Sequence, residues 1–152
     1  MLNQIKAKIV KGYGVASGKN SDPRFPQGTL ALQIPFFRKE GLDLGVFHLG
    51  TLNLDISPHC YKLLKPKFKF NRVKWSEHLE AENFSFYPCL ISLVNKDASY
   101  ECLVYWPHPS TKPDFHQSEK ILEIMGPLMS ELSYGSEVLI SAKPCHILFA
   151  NT

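Results

Sequence analysis

Residues 84–106 read FSFYPCLISLVNKDASYECLVYW, and they contain the two apolar runs that decide the fold class. The runs cover residues 84–94 and 100–106, and the polar segment 95–99 separates them. Short runs rich in aromatic and β-branched residues favour strands, and a brief polar connection between two such runs is typical of a β-hairpin. Pro107 follows the second run and is expected to end it. The stretch therefore predicts a hairpin within a mainly β domain.

Further strands are predicted on both sides of this hairpin. Alternation of apolar and polar residues, or a short apolar run between turn residues, is typical of a strand. We interpret one of these runs as a strand although it contains Pro35, with a turn near Glu40 and Gly41 after it. On these criteria the additional strands cover residues 5–15, 30–37, 47–56, 137–141 and 146–149.

Helical structure is expected only near the end of the chain. A short helix is predicted around residues 120–125. Proline is favoured at the first position of a helix, so Pro127 is expected to start a further turn, which Gly135 would stop. Residues 19–27 are polar and contain two prolines, which predicts an exposed loop.

Residues 62–74 combine six basic side chains with interleaved aromatic rings. At the two-residue period of a strand, Lys67 and Lys69 face one way, and Phe68 and Phe70 face the other. One interpretation is an ordinary strand with a solvated basic face. The alternative is a nucleic-acid platform on which lysines track phosphates and rings stack on bases.

The composition favours a single domain that spans residues 1–152, because 44% of the residues are hydrophobic and this length is typical of one domain. The chain has no apolar run long enough for a membrane helix and no recognisable signal peptide, so a cytoplasmic protein is expected. The four cysteines are widely spaced and are expected to be free, buried thiols. The net charge of +3 suits an anionic small ligand better than nucleic acid.

Three segments carry a resemblance to a known family. Residues 12–18 read GYGVASG, residues 50–54 read GTLNL, and residues 121–127 read ILEIMGP. In this order, and with the strand pattern between them, they resemble the archaeal-type CTP-dependent riboflavin kinases. The resemblance covers most of the chain, and the GTLNL segment is its most distinctive part.

The resemblance implies a fold, an activity and a set of partners. The expected fold is a small closed six-stranded cradle-loop barrel with one or two short helices. The expected activity is the Mg²⁺-assisted transfer of a phosphoryl group from CTP, or from another nucleotide, to riboflavin or a similar alcohol, which gives FMN when the acceptor is riboflavin. A barrel of the same descent that binds a flavin or a nucleotide without catalysis is the alternative.

The resemblance also assigns roles to individual residues. Thr51 and Asn53 would hold Mg²⁺, and their hydroxyl and amide oxygens are hard donors of the kind that this ion prefers. Glu123 and Thr111 would contact the flavin, and His48 is a further candidate near the phosphates. The nucleotide would be bound by Gly14, Val15, Ala16, Ser17, Gly18 and Lys19.

Two departures from the family support the non-catalytic alternative. The family has repeated glycines after the first strand, whereas here Lys19, Asn20, Ser21 and Asp22 follow Gly18. The family carries basic residues after the proline of its third segment, and here Glu131 lies in that region. The general base of a transfer reaction cannot be assigned from the sequence.

Overall fold

The fold is a mainly β structure with one short helix among the described residues. The computed structural model describes residues 2–10, 29–48, 51–77, 79–94, 97–108 and 120–150. In chain order its elements are β1 (Asn3–Val10), α1 (Thr29–Lys39), β2 (Leu52–Asp55), β3 (Cys60–Leu63), β4 (Phe68–Val73), β5 (Glu82–Leu93), β6 (Ser99–Pro107), β7 (Ile121–Met125), β8 (Glu137–Ala142) and β9 (Ile147–Ala150).

Six of the strands close into a ring. The main sheet has the order β4-β5-β6-β7-β2-β1-β8, and β8 also pairs with β5. This last pairing joins β5, β6, β7, β2, β1 and β8 into a ring, while β4 extends the sheet outside it. Strands β3 and β9 form a separate two-stranded sheet. The prediction of a mainly β fold is confirmed.

A first hydrophobic core lies inside the ring of strands. We call the side of the sheet that faces this core the inner face. Side chains alternate between the two faces of a strand, so every second residue of each strand reaches this core. Each ring strand contributes at least one side chain with no more than 2% exposure: Ile9, Leu54, Ile91, Val104, Leu122 and Ile140.

A second core lies on the opposite, outer face, where α1 covers β4, β5 and β6. The Phe37 ring of α1 lies 5.3 Å from the ring of Phe70 and 5.1 Å from the rings of Phe84 and Phe86. Leu103 and Tyr105 of β6 and Met125 of β7 belong to the same cluster. Strands β5 and β6 therefore carry side chains into both cores.

The predicted strand over residues 30–37 is wrong, because this segment forms α1. Leu30, Gln33 and Phe37 are buried at helical spacing, and Pro35 lies on the exposed side. The helix ends in a Schellman motif, in which Leu42 N donates to the Phe37 carbonyl at 2.9 Å. Gly41 has a φ of 104° there, which favours glycine, and the predicted turn near Glu40 and Gly41 is confirmed.

The predicted helix over residues 120–125 is also wrong, because residues 121–125 form β7 between β2 and β6. Leu122 and Ile124 lie on the inner face, and Glu123 lies on the outer face. Residues 127–136 form turns rather than a second helix. A five-residue segment with four apolar residues suits either structure, and the pairing with two neighbouring strands decides for the strand.

The other predicted strands are found with altered bounds. The central hairpin is β5 and β6, with Ser92 opposite Ser99. The predicted strand 47–56 is shortened to β2, the terminal strands are β8 and β9, and residues 62–74 divide between β3 and β4. Residues 3–10 of the predicted first strand form β1, while residues 11–15 and the predicted loop 19–27 lie outside the described residues.

On the basic segment, Phe70 is buried in the second core, and Lys67 and Lys69 are exposed. This arrangement agrees with the simpler interpretation of a solvated basic face. Across the described ranges, no helix is long and apolar enough to cross a membrane.

Candidate functional site

Strands β2 and β7 bring together three of the predicted site residues, although the two segments are 72 positions apart in the chain. The strands are antiparallel, and Asn53 is directly opposite Glu123. Thr51 precedes β2, and its Oγ1 lies 3.4 Å from Glu123 Oε1 in a hydrogen bond. Thr51, Asn53 and Glu123, which we call the polar triad, therefore lie side by side.

The polar triad lies on the outer face of the ring. Leu54 and Leu122 of the same strands point to the inner face, so Asn53 and Glu123 project outward. Asn53 is only 9% exposed, whereas Thr51 and Glu123 are partly exposed. The triad is thus a partly exposed polar group at the edge of the second core rather than part of the first core.

The end of β1 lies next to the polar triad. Val10, the last residue of β1, is opposite Asn53. The segment predicted to bind the nucleotide begins four residues further along the chain. Its residues Gly14, Val15, Ala16, Ser17, Gly18 and Lys19, and also Thr111, lie outside the described residues.

His48 lies at the other end of the same region. Its backbone N donates to the Gly126 carbonyl at 2.8 Å, which places it beside the segment that follows Glu123. The His48 residue is exposed. Gly126 is tightly packed, because a Cβ atom there would lie 2.6 Å from Cys102 Sγ.

Two buried polar side chains next to the triad were not predicted from the sequence. Tyr105 is 4% exposed, and its hydroxyl donates to Gln33 Oε1 of α1 at 2.6 Å. Val104 pairs with Ile124, so Tyr105, the next residue of β6, lies beside Glu123. The sequence does contain one sign of this buried pair, because Gln33 is the only polar residue in the apolar run 30–37.

Two carboxylates influence Tyr105. Burial raises the pKa of the Tyr105 hydroxyl well above its usual value, and the charges of Glu123 and Glu82 raise it further. Glu82 is only 3% exposed, at the start of β5. The Tyr105 hydroxyl is therefore kept protonated and acts as a hydrogen-bond donor within an acidic environment.

Two lysines influence Asp55, the last residue of β2. Hydrogen bonds from Ser57 hold the pKa of Asp55 below its usual value, and the charges of Lys8 and Lys120 lower it further. The Ser57 backbone N donates to Asp55 Oδ1 at 2.9 Å. The Asp55 carboxylate therefore accepts hydrogen bonds from the turn that follows β2.

The donors of the polar triad fit Mg²⁺ in kind. Mg²⁺ prefers oxygen ligands and commonly takes only one or two from the protein, with water and phosphate oxygens completing its coordination. Thr51, Asn53 and Glu123 supply hydroxyl, amide and carboxylate oxygens on one face. Among the described residues, no group of three or more His, Cys, Asp and Glu side chains is placed to hold a metal ion.

The cysteines are free, as predicted, but they are not all buried. Cys89 and Cys102 are buried, Cys60 is partly exposed, and Cys145 is exposed. Cys60 is the first residue of β3, and Cys145 lies in the turn before β9.

No protein-family model matches the chain, and no curated protein matches it. The resemblance to riboflavin kinases therefore rests on the three segments quoted above.

Proposed function

We propose that the protein is a riboflavin-kinase-like phosphotransferase that uses CTP, or another nucleotide, and Mg²⁺ to phosphorylate riboflavin or a similar alcohol. The observation that carries the proposal is the convergence of Thr51 and Asn53 with Glu123. Two sequence segments with no local relation meet on one face, and each brings the residues that the resemblance assigns to the site. We also propose that the six-stranded ring is the small closed barrel of this family, formed by one domain of residues 1–152.

Each residue would have a role suited to its chemistry. The oxygens of Thr51 and Asn53 would hold Mg²⁺, which supplies charge neutralisation for the phosphate groups when it is bound. Glu123 would accept a hydrogen bond from the acceptor and orient it, with Thr111 as a second contact. Backbone N–H groups of residues 14–18 would face the phosphates, with Lys19 and His48 close to them.

Positioning would account for most of the rate enhancement. Phosphoryl transfer requires little covalent chemistry from the protein and depends on alignment and on stabilisation of charge. Tyr105 and Gln33 would help here, because their hydrogen bond fixes α1 against β6, the strand next to the one that carries Glu123. No residue is assigned as general base.

A non-catalytic flavin- or nucleotide-binding protein of the same descent is the second candidate. Glu131 occupies the region in which the family has basic residues, and both of its carboxylate oxygens accept from the Tyr100 hydroxyl, at 2.9 and 3.0 Å. An acid held in this way favours weaker attraction of the nucleotide phosphates. Binding without turnover is the result expected from this candidate.

The test combines ligand binding with an assay for the product. Thermal shift and calorimetry would be measured with CTP, ATP, riboflavin and FMN, each with and without Mg²⁺, and chromatography would follow FMN formation. A ligand at 100 times its Kd adds about 2.7 kcal/mol to the free energy of unfolding, which both methods detect. Mg²⁺-dependent nucleotide binding with FMN formation supports the kinase, and binding without FMN supports the second candidate.

Substitutions then locate the site. Asn53→Ala and Thr51→Val are expected to weaken Mg-nucleotide binding by roughly tenfold or more, since each removes an oxygen donor. Glu123→Gln is expected to raise the KM for riboflavin more than that for the nucleotide. Asn71→Ala, the same change at an exposed position on β4, serves as the matched control. Unchanged binding in both Asn53→Ala and Thr51→Val would show that the metal assignment is wrong.

A further inference from the structure

The amine of Lys120 and the sulfur of Cys60 lie close together at a point that the proposed function does not use. Lys120 Nζ donates to Cys60 Sγ at 3.1 Å and to the His59 carbonyl at 2.8 Å. Both residues are partly exposed. The pair is thus not enclosed in a core, and the amine is already in contact with the sulfur.

The backbone fixes this closeness. Ile56 N donates to the Lys120 carbonyl at 2.9 Å, and His59 N donates to the Ile56 carbonyl at 2.9 Å. Lys120 directly precedes β7, and Cys60 begins β3. The turn between β2 and β3 thus holds the two residues together although they are 60 positions apart in the chain.

The other cysteines differ from Cys60 in the features that matter for oxidation. Susceptibility follows the exposure of a cysteine and its thiolate character. Burial raises the pKa of Cys89 well above its usual value and that of Cys102 to about 12, so both remain protonated thiols. Cys145 is exposed and provides a comparison thiol in the same molecule.

We propose that Cys60 and Lys120 form a modification site, at which a peroxide converts the pair into a covalent sulfur–nitrogen bridge. In the first step the Cys60 thiolate attacks one oxygen of hydrogen peroxide, the O–O bond breaks, and hydroxide leaves and is protonated to water. The sulfur is oxidised to a sulfenic acid, and the peroxide is reduced.

In the second step Lys120 Nζ gives up the proton of its ammonium form to solvent, and the resulting amine attacks the sulfur of the sulfenic acid. The S–O bond breaks, an N–S bond forms, the nitrogen loses one proton, and the oxygen leaves as water. One thiol, one amine and one peroxide thus give one sulfenamide and two waters. Sulfenic acids condense with nitrogen in this way when the nitrogen is held nearby, and here it is.

The bridge would join the start of β7 to the start of β3, and therefore the ring to the two-stranded sheet. It is reversible, because two equivalents of an added thiol cleave the N–S bond and return the free amine and the free cysteine.

Mass spectrometry of the full chain tests the proposal. The protein would be treated with hydrogen peroxide, remaining thiols would be alkylated, and the chain would be digested with a protease that does not cut at lysine. The expected product is a cross-link between the peptides of Cys60 and Lys120, lighter than their sum by two hydrogens and removed by dithiothreitol. Cys145→Ser is expected to keep this product, and Cys60→Ser is expected to lose it.

Lys120→Arg is the sharpest variant, because it retains the positive charge but replaces the nucleophilic amine. It is expected to abolish the cross-link and leave Cys60 to overoxidise. Circular dichroism would confirm that this variant folds, and the urea-unfolded native sequence should give no cross-link. A folded native chain in which Cys60 oxidises to sulfinic acid without any cross-link to Lys120, or in which the unfolded chain cross-links equally well, would overturn the proposal.

Discussion

At the scale of single residues, the contact between Tyr105 and Gln33 connects the second core to the candidate site. Both side chains are buried, and their hydrogen bond joins β6 to α1 at 2.6 Å. A buried polar atom that loses its partner costs more free energy than the bond contributes, because its hydration is not regained. This contact is therefore a sensitive point of the fold, and Glu123 lies beside it.

Tyr105→Phe is expected to lower the free energy of unfolding by about 1 to 3 kcal/mol, since it leaves Gln33 Oε1 without this donor in the interior. Urea denaturation would measure the change. Tyr134→Phe, at a position that is 62% exposed, is the control and is expected to change stability by less than about 0.5 kcal/mol. Equal stability of the Tyr105→Phe variant and the unmodified protein would contradict the assigned hydrogen bond.

The same variant has a distinct pH dependence. The pKa of Tyr105 is raised in the folded state by burial and by Glu123 and Glu82, so the folded state retains a proton that the unfolded state loses. Its contribution to stability is complete below the unfolded pKa of about 10 and is lost as the pH rises above it. The stability difference between the protein and Tyr105→Phe should therefore shrink above about pH 10.

At the scale of elements, α1 contains a proline, which is unfavourable in the interior of a helix. Pro35 lies inside the helix and has no N–H to donate to the Ala31 carbonyl, and most helices exclude proline for this reason. Packing of Leu30 and Phe37, both fully buried, outweighs this loss. The helix is thus held by tertiary contacts more than by local propensity.

Pro35→Ala is expected to raise the free energy of unfolding by about 1 to 3 kcal/mol, because it restores a backbone hydrogen bond at an exposed position. Thermal and urea denaturation would both register the gain. Ala31→Gly in the same helix is expected to have the opposite effect, a loss of about 1 kcal/mol. A Pro35→Ala variant that is no more stable would mean that α1 already accommodates the missing bond.

At the scale of the whole molecule, two cores share the strands β5 and β6. Phe84 and Phe86 of β5 enter the second core, and Cys89 and Ile91 of the same strand enter the first. A strand cannot leave one core and remain ordered in the other without losing its pairing. The two cores are therefore expected to unfold together.

The two tryptophans allow this expectation to be measured, since Trp75 belongs to the second core and Trp106 packs against the first. In Trp75→Phe and in Trp106→Phe, the fluorescence of the remaining tryptophan should follow the same urea transition as circular dichroism. Ile140→Ala, in the first core, is expected to lower the midpoint of both signals together, at a cost of about 2 to 5 kcal/mol. Leu128→Ala, at a position that is 69% exposed, is the control, and separate midpoints for the two tryptophans would show independent cores.

Local patterns in the sequence determined the β-rich class, the central hairpin and the terminal strands, because alternation with a period of two depends only on neighbouring residues. They failed at residues 30–37 and 120–125. The first segment is apolar on nearly every side, with Leu32 and Phe36 exposed as well as Leu30 and Phe37 buried, so it shows no helical stripe. The second is too short for its pattern to distinguish a helix from a strand.

The sequence alone also marked Thr51, Asn53 and Glu123 as candidates, through a resemblance and through their oxygen donors. Only the tertiary structure placed Asn53 opposite Glu123, Tyr105 against Gln33, and Lys120 against Cys60. These pairs are distant along the chain, and their contacts depend on strand register and on the packing of α1. Register follows from the burial of complete strand faces, which is a property of the folded molecule and cannot be read from any single segment.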